Sequence, residues 1–115
     1  MDVQALLDML ERGRDSAMLR LSLASALQQQ GDLATARSHL QAAVQQDPQY
    51  SAAWKALGKV ELELGDKVAA RRSWQSGIEA ALQRGDKQAE KEMQVFLKRL
   101  DKPGTNVGGN LAADK

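Results

Sequence analysis

The stretch WKALGKVELELGDKVAARRSW, residues Trp54–Trp74, decides the fold of this 115-residue chain. Apolar and small residues recur in it at spacings of three and four on both sides of Gly65-Asp66, which indicates two amphipathic helices joined by a turn. Gly58 lies one helical turn after Trp54, so a second helix can approach closely there, and Trp74 is expected to fill the space. Helices of about 15 residues are marginal in water by themselves. The hairpin therefore needs packing partners.

An internal repeat supplies these partners. A shift of 34 residues places Ala17–Tyr50 on Ser51–Arg84, and it brings the glycine-aspartate pair Gly31-Asp32 onto Gly65-Asp66. Ala24, a small residue, takes the place of glycine at the expected helix crossing. A period of this size with one helix-turn-helix unit per period is typical of a solenoid, in which neighbouring units complete each other's core.

These residues resemble the tetratricopeptide repeat family, whose pattern has an aromatic residue, Leu-Gly, a glycine-aspartate turn, alanines around a large apolar residue, and a closing proline. The second repeat matches it with Trp54, Leu57-Gly58, Gly65-Asp66, Ala70, Trp74 and Gly77. The first matches it with Leu23-Ala24, Gly31-Asp32, Ala36, Leu40, Ala43 and Asp47-Pro48. Three positions depart from the pattern. Arg20 replaces the first aromatic residue, Glu61 replaces a tyrosine and Leu82 replaces the closing proline of the second repeat.

The sequence predicts an all-α protein, and the resemblance implies a short right-handed solenoid of about six helices. Aromatic residues make up 3% of the chain, so Leu, Ala, Val and Met must fill the core, as in helical packing. The predicted organisation is an N-terminal capping helix in residues 1–15, repeats in 16–50 and 51–85, a C-terminal capping helix in 86–101 and a disordered tail in 102–115. The tail sequence KPGTNVGGNLAADK offers little to bury.

Composition argues against several classes of function. Sixteen basic residues balance fifteen acidic ones, so no overall field steers the chain to nucleic acid or an anionic membrane. Cysteine is absent, which excludes disulfides and thiol catalysis. Neither a secretion signal nor an apolar run of about 20 residues is present, so we expect a cytoplasmic protein that does not span a membrane.

Catalytic chemistry is also not indicated. His39 is the one histidine, and a metal or catalytic site needs several converging groups, so we expect it to be a solvated helix residue. Glu61 and Glu63 are two residues apart on a helix and cannot share a face. No phosphate-binding loop or nucleophile motif occurs. We therefore expect no enzyme activity, no cofactor and no metal.

The resemblance to the family also implies a binding site. The first helices of the repeats line a concave groove that holds a peptide of a partner protein. The residues placed there are Met18, Leu21, Ser22, Ser25, Gln28, Ala52, Lys55, Ala56, Lys59 and Leu62, with Met93 of the last helix as a further apolar contact. Lys55 and Lys59 are one turn apart, and neither has a strong partner in the sequence. They could hold an acidic or carboxylate-terminated peptide, or they could simply be solvated.

The sequence thus predicts a protein-interaction module, either monomeric or weakly dimeric. One alternative is a structural unit that associates with itself through an exposed end, which light scattering at several concentrations would reveal. A second alternative, nucleic-acid binding, would use the basic residues of the second helices, which the resemblance places on the convex side. It is disfavoured because stacking aromatic residues should accompany such a patch and Trp74 is assigned to the core. These basic residues are Arg37, Lys67, Arg71, Arg72 and Arg84.

Overall fold

The structure is a computed structural model that describes residues 2–102, and this part of the chain consists of six α-helices without a strand. The helices are α1 (Val3–Glu11), α2 (Ala17–Gln29), α3 (Leu33–Gln46), α4 (Ser51–Glu63), α5 (Lys67–Arg84) and α6 (Lys87–Asp101). The predicted all-α class is confirmed, and each predicted helix is present. The tail predicted to be disordered lies, from residue 103 onward, outside the described residues. No helix in the described part is both long and apolar enough to cross a bilayer.

Short polar residues set the helix starts. The side chains of Asp2, Ser16, Asp32, Asp66 and Asp86 each accept a hydrogen bond from a backbone amide in the first turn of the following helix. Such a cap contributes about 1 kcal/mol because it satisfies a donor that the helix cannot satisfy itself. The start of α4 has no side-chain cap and instead follows Asp47-Pro48.

Glycine in the left-handed conformation ends four of the described helices. One is Gly13 after α1, with φ of 82°, and the other three precede an aspartate. Gly31, Gly65 and Gly85 have φ of 85°, 87° and 75°. The aspartate after each glycine donates its backbone N–H to a carbonyl five residues earlier, at 2.8–2.9 Å. This closure satisfies the last carbonyls of the helix. The same glycine-aspartate pair therefore ends one helix and caps the next.

The helices stack in chain order and form a curved layer. The hairpins α2/α3 and α4/α5 pack side by side, and α1 and α6 pack on the two ends. In addition, the backbone of α4 approaches those of α2 and α6, whereas the backbones of α1, α3 and α5 do not approach one another within residues 2–102. Helices on the inside of a bend are crowded and those on the outside are splayed. The concave side is consequently formed by α2, α4 and α6.

The predicted crossing within the second hairpin is confirmed. Trp74 is 2% exposed and lies against Gly58, where an added Cβ atom would overlap its indole ring. The indole N–H donates to the carbonyl of Lys55 at 3.2 Å, so its polar group is satisfied. Ala24, the equivalent residue in the first repeat, is buried as well.

The placement of Met93 in the groove was wrong. Its side chain is fully buried beside Trp74 and Ala89, and it fills the space above Gly77. Phe96, one turn further along α6, packs on Trp74 with the ring centroids 5.1 Å apart. The apolar stripe of α6 therefore faces the core. That α6 ends the stack as a solvating cap stays a prediction.

The expectation that His39 is solvated was also wrong. It is half-buried, and its Nδ1 lies 3.0 Å from Nη1 of Arg20, which in turn forms a two-pronged ion pair with Asp15 at 2.8 Å. Gln46 also donates to Asp15, at 2.9 Å. Arg20, which departs from the family pattern, thus links α2, α3 and the loop before α2 by polar contacts.

The second departure, Glu61, is a buried carboxylate. It is 5% exposed and accepts a short hydrogen bond from the hydroxyl of Ser73 on α5. Burial raises the pKa of Glu61, while the Ser73 hydrogen bond and the nearby Arg37 and Arg72 act in the opposite direction.

Candidate functional site

An open depression of about 550 Å³ lies on the concave side between α2 and α4. Seven of the predicted groove residues line it, and all seven come from these two helices. The predicted residues in the lining are Leu21, Ser22, Ser25, Gln28, Ala52, Lys55 and Ala56. Repeat-related positions on the two helices face the same space, because the 34-residue period preserves the helical register.

The side chains that line the depression are mostly small and uncharged. Their small size leaves the depression open. Residues 21–30, in α2 and its C-cap, read LSLASALQQQ and carry no charge. On α4, Ala52 and Ala56 present only methyl groups. The hydroxyls of Ser22 and Ser25 are exposed, and each can both donate and accept a hydrogen bond. The lining therefore combines an apolar floor with hydrogen-bonding groups along the α2 wall.

Among the described residues, Lys55 is the one charged residue in this lining, and it has a partner. Its Nζ donates to Oε1 of Glu92 on α6 at 2.6 Å. The side chains are 30% and 39% exposed, so the pair is only partly open to solvent. The hydrogen bond from Lys55 lowers the pKa of Glu92. The prediction that Lys55 has no strong partner was wrong, because the partner lies 37 residues away in the sequence.

Lys59 is also directed toward α6. Its Nζ lies 5.1 Å from the centroid of the Phe96 ring, a distance at which an ammonium is attracted to the face of an aromatic ring. Lys59 is exposed and does not line the depression. The two lysines therefore do not form a preformed clamp between α2 and α4, and both contact the C-terminal helix.

The remaining predicted groove residues lie elsewhere. Met18 is 69% exposed and belongs to a separate depression of about 430 Å³, which Asp47, Tyr50 and Arg84 also line. Leu62 is 39% exposed in the last turn of α4, outside the lining described above. Within the depression, Gln28 is not isolated, since its side-chain amide donates to Glu63 of the adjacent helix.

Sequence reasoning missed Glu92 and Phe96 because it treated α6 as unrelated to the repeat. The buried residues Ala89 and Met93 follow Ala53 and Leu57 of α4 by 36 residues, not by 34. With this two-residue insertion, α6 takes the position of the first helix of a third repeat, and Glu92 falls beside Lys55. An alignment that permitted the insertion could have found the contact.

In the described part of the chain, no group of histidine or acidic side chains has the arrangement of a metal site. His39 is engaged with Arg20 and lies outside the lining of the depression. The chemistry that the depression offers is therefore hydrogen bonding, apolar contact and one paired ammonium.

Paired helices with a repeated glycine-aspartate turn, stacked so that every first helix faces a concave side, define a helical-repeat protein with an open groove. The sequence model of the tetratricopeptide repeat family matches residues 21–87, and the chain belongs to this family. Repeats of this family generally mediate protein–protein interaction, and the family is one of non-catalytic scaffolds.

Two relatives extend the comparison. A protein of Pseudomonas aeruginosa, named as a TPR repeat-containing protein, is 48% identical over 105 residues, which cover 91% of this chain and all of that protein. The solution structure of a protein from Bordetella parapertussis has 44% sequence identity and a TM-score of 0.75, with 87% of each chain covered. The similarity thus extends beyond the two repeats to most of the chain.

Proposed function

We propose that this protein is an interaction module that binds a peptide segment of a partner protein in the depression between α2 and α4. The observation that carries the proposal is the depression itself, which lies on the concave side and has a floor of small side chains. This open surface can accept an extended or helical segment without a rearrangement of the backbone.

The lining suits a peptide main chain. Ser22, Ser25 and Gln29 offer hydroxyl and amide groups that can pair with peptide N–H and C=O groups. Leu21 and Ala56 offer apolar area to a small or aliphatic side chain. Because unpaired polar groups cost free energy when they lose water, hydrogen bonding along α2 is needed for a peptide to bind there.

We further propose that the peptide is acidic or ends in a carboxylate. Lys55 lines the depression and Lys59 lies one turn further along α4, outside its lining, so a carboxylate of the peptide would approach one of these two cations. Partly exposed charge contacts contribute about 0.2–1 kcal/mol each. We therefore expect affinity in the micromolar range or weaker, and we expect it to fall as the salt concentration rises.

A titration followed by amide chemical shifts tests the proposal. Acidic and neutral peptides are added to the labelled protein, and we expect shifts to map to α2 and α4. Ser25→Trp should abolish these shifts because the indole ring would fill the depression. Gln75→Trp, which adds the same side chain at an exposed position of α5, serves as the matched control and should leave them unchanged. Shifts that map to Arg71 and Arg72, or that persist in Ser25→Trp, would refute the proposed site.

A further inference from the structure

The C-terminal helix brings a carboxylate of the protein itself onto the lysine of the depression. Lys55 lines the space between α2 and α4, and Glu92 reaches it from α6 at 2.6 Å. A peptide carboxylate that approaches Lys55 therefore meets a cation that is already paired. The free protein has, at this place, the contact that a carboxylate ligand would make.

Packing on three sides fixes the direction in which Glu92 points. Met93 is buried beside Trp74 and sets the rotation of α6 about its axis. Phe96, one turn after Glu92, lies beneath the ammonium of Lys59. At the end of the helix, Asp101 pairs with Arg71 of α5. The fold thus holds the backbone of Glu92 near Lys55, so the pair forms without a movement of α6.

From this geometry we infer that Glu92 is an internal competitor for Lys55, and that the partner that fits the groove is a segment whose own carboxylate replaces it. The inference rests on the proposed function. A neutral segment that displaces Glu92 would leave the partly buried ammonium of Lys55 without a counter-charge. A segment with a side-chain or C-terminal carboxylate restores the ion pair. Glu92 lowers the affinity for every ligand that reaches Lys55, and Lys55 selects those with a carboxylate.

The test uses the full-length protein and three peptides. Each has eight residues of Ser, Ala and Leu. The first carries a central glutamate, and the second has glutamine at that place; both end in an amide. The third has no charged side chain and ends in a free carboxylate. Dissociation constants are measured for the parent protein, Glu92→Gln, Lys55→Gln and the double variant. The first and third peptides distinguish a side-chain carboxylate from a terminal one.

We expect Glu92→Gln to tighten binding of a carboxylate peptide by up to about fivefold, which corresponds to the upper value for a partly exposed ion pair. In the Lys55→Gln background the same substitution should have no effect, because the contested cation is gone. The glutamine peptide should bind more weakly than the glutamate peptide wherever Lys55 is present, and equally where it is absent.

Glu90→Gln is the matched control. It makes the same change of charge on α6, but Glu90 accepts a hydrogen bond from Gln94 of its own helix and does not contact Lys55. An equal gain in Glu90→Gln would show a general charge effect and overturn the inference. Unchanged affinity in Glu92→Gln, with shifts still at α2 and α4, would overturn it and leave the proposed function standing. If no peptide shifts the resonances of the depression, both fail.

Discussion

At Gly58 the absence of a side chain lets the indole ring of Trp74 lie directly on the backbone of α4. Gly58→Ala should lower the free energy of unfolding by about 1–3 kcal/mol, because the added methyl group overlaps the ring. This would occur although alanine is favoured over glycine by about 1 kcal/mol in a helix interior. The measurement is denaturant unfolding. Ser25→Ala, at an exposed position of α2, is the control and should not destabilise the protein. Equal unfolding curves for Gly58→Ala and the parent would contradict the packing described.

Glu61 is a carboxylate whose burial raises its pKa above the unfolded value of about 4.3. The unfolded chain then releases this proton more readily than the folded one, so the charge of Glu61 destabilises the native state as the pH rises through the folded pKa. Glu61→Gln, which can still accept from Ser73, should be more stable than the parent at pH 7. We expect the difference to vanish below about pH 4. Urea unfolding at both pH values measures it. A Glu61→Gln protein that is less stable at pH 7 would show that its contacts outweigh the cost of burial.

His39 has a lowered pKa because burial and the Arg20 guanidinium disfavour its charged form, against the attraction of Asp15. Since Arg20 donates to Nδ1, the folded state holds the neutral ring. The native state should therefore lose stability as the pH falls through about 6.5, the unfolded pKa. His39 is the one histidine of the chain, so its ring resonances can be followed by NMR without overlap.

Arg20→Gln should raise the pKa of His39 toward its ordinary value, because the adjacent cation is removed. Arg37→Gln, which removes a charge from the same helix as His39 but not one that contacts it, should leave the titration where it is. A histidine that titrates at its ordinary pKa in the parent protein would contradict the buried contact.

At the scale of the helices, α6 carries the prediction with the largest expected effect. A chain that ends at Arg84 lacks Met93 and Phe96, so Trp74 would become exposed to water. We expect a red shift of tryptophan emission, together with aggregation or loss of cooperative melting. A chain that ends at Lys102 keeps every α6 contact described here and should melt like the parent. If both truncations melt alike, α6 does not cover the second repeat.

The helices could be predicted from the sequence because the signals that define them are local. Gly65 ends one helix and Asp66 caps the next, and the 34-residue repeat places the same pair at Gly31-Asp32. The contacts of α6 could not be predicted in the same way. The pairs Lys55–Glu92 and Lys59–Phe96 depend on the rotation of α6 about its axis, and a two-residue insertion concealed that rotation.

The candidate site was predicted in part, because the repeat fixes the positions on two of its helices but not those on α6. Positions on α2 and α4 that the repeat relates to each other do line one depression, since both helices keep the register of the period. Met93 was misplaced because an apolar residue on an amphipathic helix fits a groove or a core equally well by sequence. Its burial follows from the space over Gly77, and this space exists only once α5 and α6 are packed.

At the scale of the whole molecule, each of the six helices in residues 2–102 approaches only the next helix or the next but one. The mean separation in sequence between contacting residues is therefore short, and chains of this kind fold within microseconds to milliseconds. A hairpin such as α2/α3 also has most of its partners before α5 and α6 have been synthesised. We expect the native structure to form from the first helices onward while the chain is still on the ribosome. The second hairpin, which contains both tryptophans, would be covered last, when α6 packs on it.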